Sequence, residues 1–134
     1  MAAAGLLILF YRHRGLVQEP RRPVRTIVRH DTFVTARAQF LDEAGVAMDL
    51  TGKTVRYVLR DIPTQTLIVN RLAATLENQT TNLGQAYYTY LAAHVANAGD
   101  FLEEWVIEQA GGAQETFPVG LPQLVRIVGD QDAT

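Results

Sequence analysis

No cysteine occurs among the 134 residues, which removes disulfide frameworks, thiolate zinc sites, iron–sulfur clusters and cysteine nucleophiles together. Lysine is nearly missing as well: Lys53 is one of twelve basic residues and the others are arginine, the residue suited to fixed bidentate contacts. Charged side chains make up 19% of the chain against 48% apolar ones, so the composition is that of a folding domain with a core and not of a disordered polyelectrolyte. The longest apolar run, Ala2 to Tyr11, has ten residues, about half of the ~20 that a membrane-spanning helix needs. Its charges, Arg12, His13 and Arg14, follow it, and no small-residue cleavage site comes after, so a secretory signal is not expected. The length suits one compact module, and two domains around a cleft are not expected.

The net charge of −2 hides an asymmetry. Residues 1–30 hold six arginines against Glu19, a balance of +5, while residues 31–134 hold six basic and thirteen acidic residues, a balance of −7. A basic arm on an acidic body suits nucleic-acid binding or, equally, an arm lying on the acidic body of a neighbouring copy. Pro20, Pro23 and Glu19 interrupt the arginines, no aromatic beyond Tyr11 is interleaved for base stacking, and the acidic body repels a polyanion, which together favour the second use. The greasy terminus then wants a cover, of which a partner surface is the simplest; the alternative is that it adds a strand or helix to its own core. Leu6, Leu7, Ile8, Phe10 and Tyr11 with Arg12, Arg14, Arg21, Arg22 and Arg25 are therefore the candidate partner interface, and deleting residues 1–11 is expected to leave a folded domain that assembles poorly. Proline at two of four positions from Pro20 keeps the linker extended, which puts the arm at 1–23, the domain at 24–130 and a tail at 131–134.

From Val24 onward the periodicity is two. Val34, Ala36, Ala38 and Phe40 alternate with polar residues, as in a half-buried strand. Asp42 to Gly45 supplies a turn, and Val46 to Leu50 reads as the return of a hairpin. Thr54 to Asp61 points Val55, Tyr57 and Leu59 inward and Arg56 and Arg60 outward; Leu67 to Leu76 is a further strand whose far end could be helical. A polar loop over 77–83 precedes a strand from Gly84 to Leu91, and Ala92 to Ala98 is long enough only for a helical turn. Asp100 to Gln109 carries Phe101, Trp105 and Ile107 on one face, and Gln114–Phe117 and Leu124–Val128 complete the set. Seven or eight short strands without βαβ alternation predict an all-β protein, an antiparallel β-sandwich with an extended N-terminal arm.

Chemical motifs fail on context. Gly52-Lys53-Thr54 ends like a phosphate-binding loop, yet Ala47 stands where that loop needs glycine and a strand follows where it needs a helix. His13, His30 and His94 have no second ligand at metal spacing. Glu103 and Glu104 are adjacent and point to opposite sheet faces, so they do not form a carboxylate pair; Glu103 shares the face of Phe101 and Trp105 and is expected at a sandwich edge, reaching water or an arginine. Tyr88 and Tyr90 could stack on a sugar, though core and rim packing is their ordinary use. No catalytic residue, cofactor, metal, membrane span or small-molecule substrate is expected.

The succession Asp31-Thr32, Phe40 to Gly45, Met48 to Val55, Gly84 to Tyr88, Gly99-Asp100-Phe101 through Glu104-Trp105-Val106-Ile107, and the Thr116-Phe117-Pro118 turn resembles the immunoglobulin-like N-terminal domain of tailed-phage upper baseplate proteins. The resemblance covers residues 30–128 and departs from the family in the apolar-basic arm in front. It implies an immunoglobulin-like sandwich and a non-catalytic bacteriophage virion protein, made in the host cytoplasm and placed in many copies on the tail, baseplate, neck or capsid exterior. Its partners would be other copies of itself and other virion proteins, not nucleic acid. The alternative is a surface adhesin or carbohydrate-binding domain that uses end loops such as 77–83.

Overall fold

A computed structural model describes residues 8–12, 24–31, 35–118 and 123–129. Ten strands are formed among them: β1 (Ile8–Arg12), β2 (Arg25–Val28), β3 (Thr35–Leu41), β4 (Thr54–Asp61), β5 (Leu67–Ala73), β6 (Thr75–Leu76), β7 (Gln85–Thr89), β8 (Gly99–Glu108), β9 (Gln114–Phe117) and β10 (Gln123–Val128). Two sheets face one another, one in the order β1-β3-β7-β6, the other in the order β2-β10-β8-β4-β5, with β9 paired to the far half of β8. The sandwich is as expected from the alternation, but it is mixed where a purely antiparallel one was predicted. β1 runs parallel to β3 and β2 parallel to β10. Parallel neighbours need a crossover connection, and the N-terminal chain supplies it by visiting the opposite sheet as β2 between β1 and β3.

The inward positions of the two clearest strands behave as their alternation requires. Val55, Tyr57 and Leu59 on β4 and Phe101, Trp105 and Ile107 on β8 are all at most 4% exposed. They meet Ala36, Ala38 and Ala86 from β3 and β7, whose short side chains leave depth for the rings opposite. Trp105 packs against Tyr57 and Phe40 at ring-centre distances of 4.7 and 5.6 Å, and Phe40 reaches Phe117 at 5.2 Å. The helical turn expected after Tyr90 is a 3₁₀ turn, Ala92–Val95.

Two local expectations are corrected. Val46 to Leu50 is not a strand: β7 occupies one edge of β3 and β1 the other, so the returning chain makes a single bridge, Ala47 to Leu41, with bonds from the Asp42 amide to the Val46 carbonyl, 2.8 Å, and from the Met48 amide to the Phe40 carbonyl, 2.9 Å. Gly84, at φ +80°, is needed at that crossing, because a Cβ there would sit 2.9 Å from the Phe40 carbonyl oxygen. Leu67 to Leu76 is not one strand with a helical end. It leaves the larger sheet after β5, passes Ala74, and joins the smaller sheet as β6, so the segment closes one side of the sandwich.

Candidate functional site

The buried side-chain hydrogen bonds of the described residues are concentrated inside the sandwich, around Glu103 on β8. Alternation puts this carboxylate on the Trp105 face, and here that face is the middle of the core, with the side chain fully buried. It accepts from five donors: the Tyr11 hydroxyl of β1, Arg25 Nε at 2.8 Å and Nη2 at 3.1 Å from β2, the Tyr57 hydroxyl of β4 at 2.8 Å, and Trp105 Nε1 at 2.8 Å. The Tyr57 and Tyr90 hydroxyls are 2.6 Å apart, and Arg25 Nη2 also donates to the Arg37 carbonyl of β3 at 3.0 Å. One carboxylate thus holds strands from both sheets. The expected arginine partner is present, but at the centre of the fold and not at its edge.

Burial pushes the Glu103 carboxyl up, but the Arg25 guanidinium, its hydrogen bonds and those of Tyr11 and Trp105 outweigh it and hold the group below the usual carboxylate range. For Arg25, burial disfavours the charge and Glu103 more than restores it. Desolvation, reinforced by the Glu103 charge, raises Tyr11, Tyr57 and Tyr90, so all three stay protonated donors. A carboxyl depressed in the fold contributes stability that is complete above its unfolded pKa, near 4.5, and is lost as the pH falls through the folded value. The urea midpoint is accordingly expected to drop below about pH 5, less steeply in a Glu103→Gln variant, whose amide does not titrate; burial also lowers His94, which adds a separate, earlier decline that begins near its unfolded pKa. Asp49, lowered by its hydrogen bonds to Thr51, adds to the Glu103 limb, and Asp49→Asn separates its share.

This cluster suits a structural anchor better than a catalyst. Every oxygen of Glu103 is engaged by at least two donors and is closed to solvent, which leaves no lone pair for a substrate proton. Among the described residues no group of three His, Cys, Asp or Glu is arranged to hold a metal, and no helix is long and apolar enough to cross a membrane. Tyr88 and Tyr90, considered above for sugar stacking, are 6% and 1% exposed and present no ring face; Tyr88 stacks on Tyr57 at 4.8 Å instead. In the 77–83 loop the Gln79 side chain accepts from the Leu50 and Gly84 amides, at 3.1 and 2.9 Å, and donates to the Glu77 carbonyl at 2.8 Å, tying the loop to the body. Nothing in the sequence pattern marked that glutamine.

The candidate interface residues divide. Tyr11 and Arg25 are corrected: both are essentially inaccessible, committed to Glu103 in the chain's own core, because a buried carboxylate needs buried donors. Leu9, between the candidates, is buried with them. Ile8 and Phe10 alternate to the outer face of β1, where Ile8 is half-buried and Phe10 is 54% exposed. Part of the expected arm is therefore a sheet strand, at an edge among the described residues. Leu6, Leu7, Arg14, Arg21 and Arg22 lie outside the described residues, as does the Arg12 side chain. The arginines of the body are paired on its surface, Arg56 and Arg71 with Glu108 at 3.1 and 2.8 Å and Arg126 with Asp100 at 2.9 Å.

No family model and no curated protein matches the chain. Among solved structures it is similar to one described as the N-terminal domain of phage TP901-1 ORF48, with a TM-score of 0.57 and 10% sequence identity, over 92% of this chain and 98% of that one. At that identity the likeness establishes a shared fold, which takes in nearly the whole of both chains.

Proposed function

We propose that the protein is a non-catalytic structural component of a phage virion, assembling in multiple copies on the tail, baseplate, neck or capsid exterior through its N-terminal segment and sandwich edges. The observation that carries this reading is β1, a strand with apolar residues on both faces, of which one is covered by the described residues: Leu9 and Tyr11 are buried while Phe10 stands 54% exposed on a strand that lies at an edge among them. Apolar residues on both sides of a strand are the pattern of one covered on both sides, and an uncapped edge is a template for pairing. The fold shared with a phage domain and the order of turn and strand motifs from Asp31 to Pro118 support the virion setting. Leu6, Leu7, Ile8, Phe10, Arg12, Arg14, Arg21 and Arg22 are the residues assigned to neighbouring protein subunits, the arginines to their carboxylates and carbonyls. Sedimentation of the full chain is expected to give species larger than the 14.8 kDa monomer, shifted back toward monomer by Phe10→Asp. In a mobility-shift titration at about 0.15 M salt, where the Debye length is only about 8 Å, no duplex binding is expected. A strict monomer, or tight duplex binding abolished by replacing Arg21 and Arg22, would overturn the reading.

A further inference from the structure

The geometry points to β1 as an exchangeable strand, with its slot on the body filled by the β1 of a second copy in the assembled protein. This deepens the proposed assembly role and rests on it. The slot is made entirely by the rest of the chain. β3 offers its edge in parallel register, Leu9 beside Ala38 and Tyr11 beside Phe40, and the body closes over two inward side chains. The first position takes an aliphatic residue. The second takes a tyrosine, since its ring stacks on Phe40 at 5.7 Å and its hydroxyl ends on Glu103. A phenylalanine would fill the ring site and leave the carboxylate short of a donor, so the slot selects an extended segment carrying an apolar residue and then a tyrosine two positions on. Between Leu6 and Tyr11 the chain's own terminus has that spacing only at Leu9-Phe10-Tyr11.

The length of the connection lets a second copy supply the strand. Residues 13–24 join β1 to β2, and twelve residues span up to about 40 Å when extended. A domain of this length is roughly 36 Å across, so a connection of twelve residues is long enough to reach the equivalent slot of an adjacent copy. Its charge suits the body of either copy: with Arg12 it carries four arginines against Glu19, and residues 31–134 of each carry −7. The contacts made in the slot are the same in either arrangement, so exchange has little enthalpic cost and is driven by concentration.

Cross-linking across the slot separates the arrangements, because the chain has no cysteine of its own. Phe10 and Gln39 are register partners on the outer face of β1 and β3, away from the core. In a Phe10→Cys/Gln39→Cys variant a disulfide between these positions joins whichever β1 occupies the slot. The Ile8→Cys/Arg37→Cys pair, in the same register, serves if the first variant does not fold. The assembled fraction is oxidised, denatured and run without reductant, with the linked peptides identified by mass. Most of the 10–39 disulfide is expected in covalent dimers and larger ladders, and Phe10→Cys alone is expected to give no 10–39 product. An assembled protein in which that disulfide lies only within single chains overturns exchange and leaves the assembly role standing. A parent chain that sediments as a monomer at every concentration overturns both.

Discussion

Replacing Glu103 by alanine is expected to cost about 3–5 kcal/mol, the range for removing one partner of a buried ion pair, which is a large fraction of the roughly 5–15 kcal/mol that holds a domain together. The loss comes less from the attraction given up than from what stays behind. Arg25, 1% exposed, would keep its charge without the carboxylate that faces it, and Tyr11, Tyr57 and Trp105 would each have a donor pointing into a cavity. That reasoning gives a second, sharper expectation. Arg25→Met alone should also be costly, since it strands the Glu103 charge, whereas Arg25→Met with Glu103→Leu should lose clearly less than the two singles added together. Urea unfolding of the parent, Arg25→Met, Glu103→Leu and the double variant closes the cycle and measures the coupling directly. Additive losses, or a Glu103→Ala variant within about 1 kcal/mol of the parent, would mean that the charges do not depend on one another.

Much of the sandwich is written in short-range pattern. β4 coincides with the predicted Thr54–Asp61, where Val55, Tyr57 and Leu59 at every second position mark the buried face, and β9 coincides with Gln114–Phe117, set off by the Ala110-Gly111-Gly112 turn before it. β1 escaped for the opposite reason. Ile8 to Tyr11 is apolar throughout, so it has no period to distinguish a strand from a helix or from a sticky arm, and its parallel pairing with β3 depends on a crossover through the other sheet. The Glu103 cluster was half legible. Alternation along β8 puts Glu103 on the face of Phe101 and Trp105, and a carboxylate there calls for water or an arginine, but its depth depends on β10 on one side and β4 on the other. A usable signal did exist. Arg25 alternates onto the same side as Ile27, both buried, so an inward arginine and an inward glutamate of opposite sign sat on two core strands, and each made sense only if it met the other. That Tyr11 would come from the opposite sheet to complete the set is a long-range outcome that no window of sequence contains.

Deletion of residues 1–12 tests the reassignment of the N-terminal segment. A free arm would leave a folded domain that merely assembles poorly, whereas a core strand takes stability with it. Leu9 and Tyr11 are 2% and 0% exposed, and at about 1.5–3 kcal/mol for each buried side chain of this size the deletion should remove about 3–6 kcal/mol. Loss of the Tyr11 hydroxyl from Glu103 adds to this by opening the buried pair on one side. For a domain of this length the melting temperature should fall by about 10–25 °C. Because the slot on β3 and around Glu103 remains, a synthetic peptide of residues 1–12 should raise the midpoint again in proportion to the logarithm of its concentration, and the same peptide with Tyr11→Phe should do so less well. A truncated protein that melts within a few degrees of the parent, and changes only in its state of association, would return Leu9 and Tyr11 to the partner surface and leave Glu103 to be held by Arg25, Tyr57 and Trp105 alone.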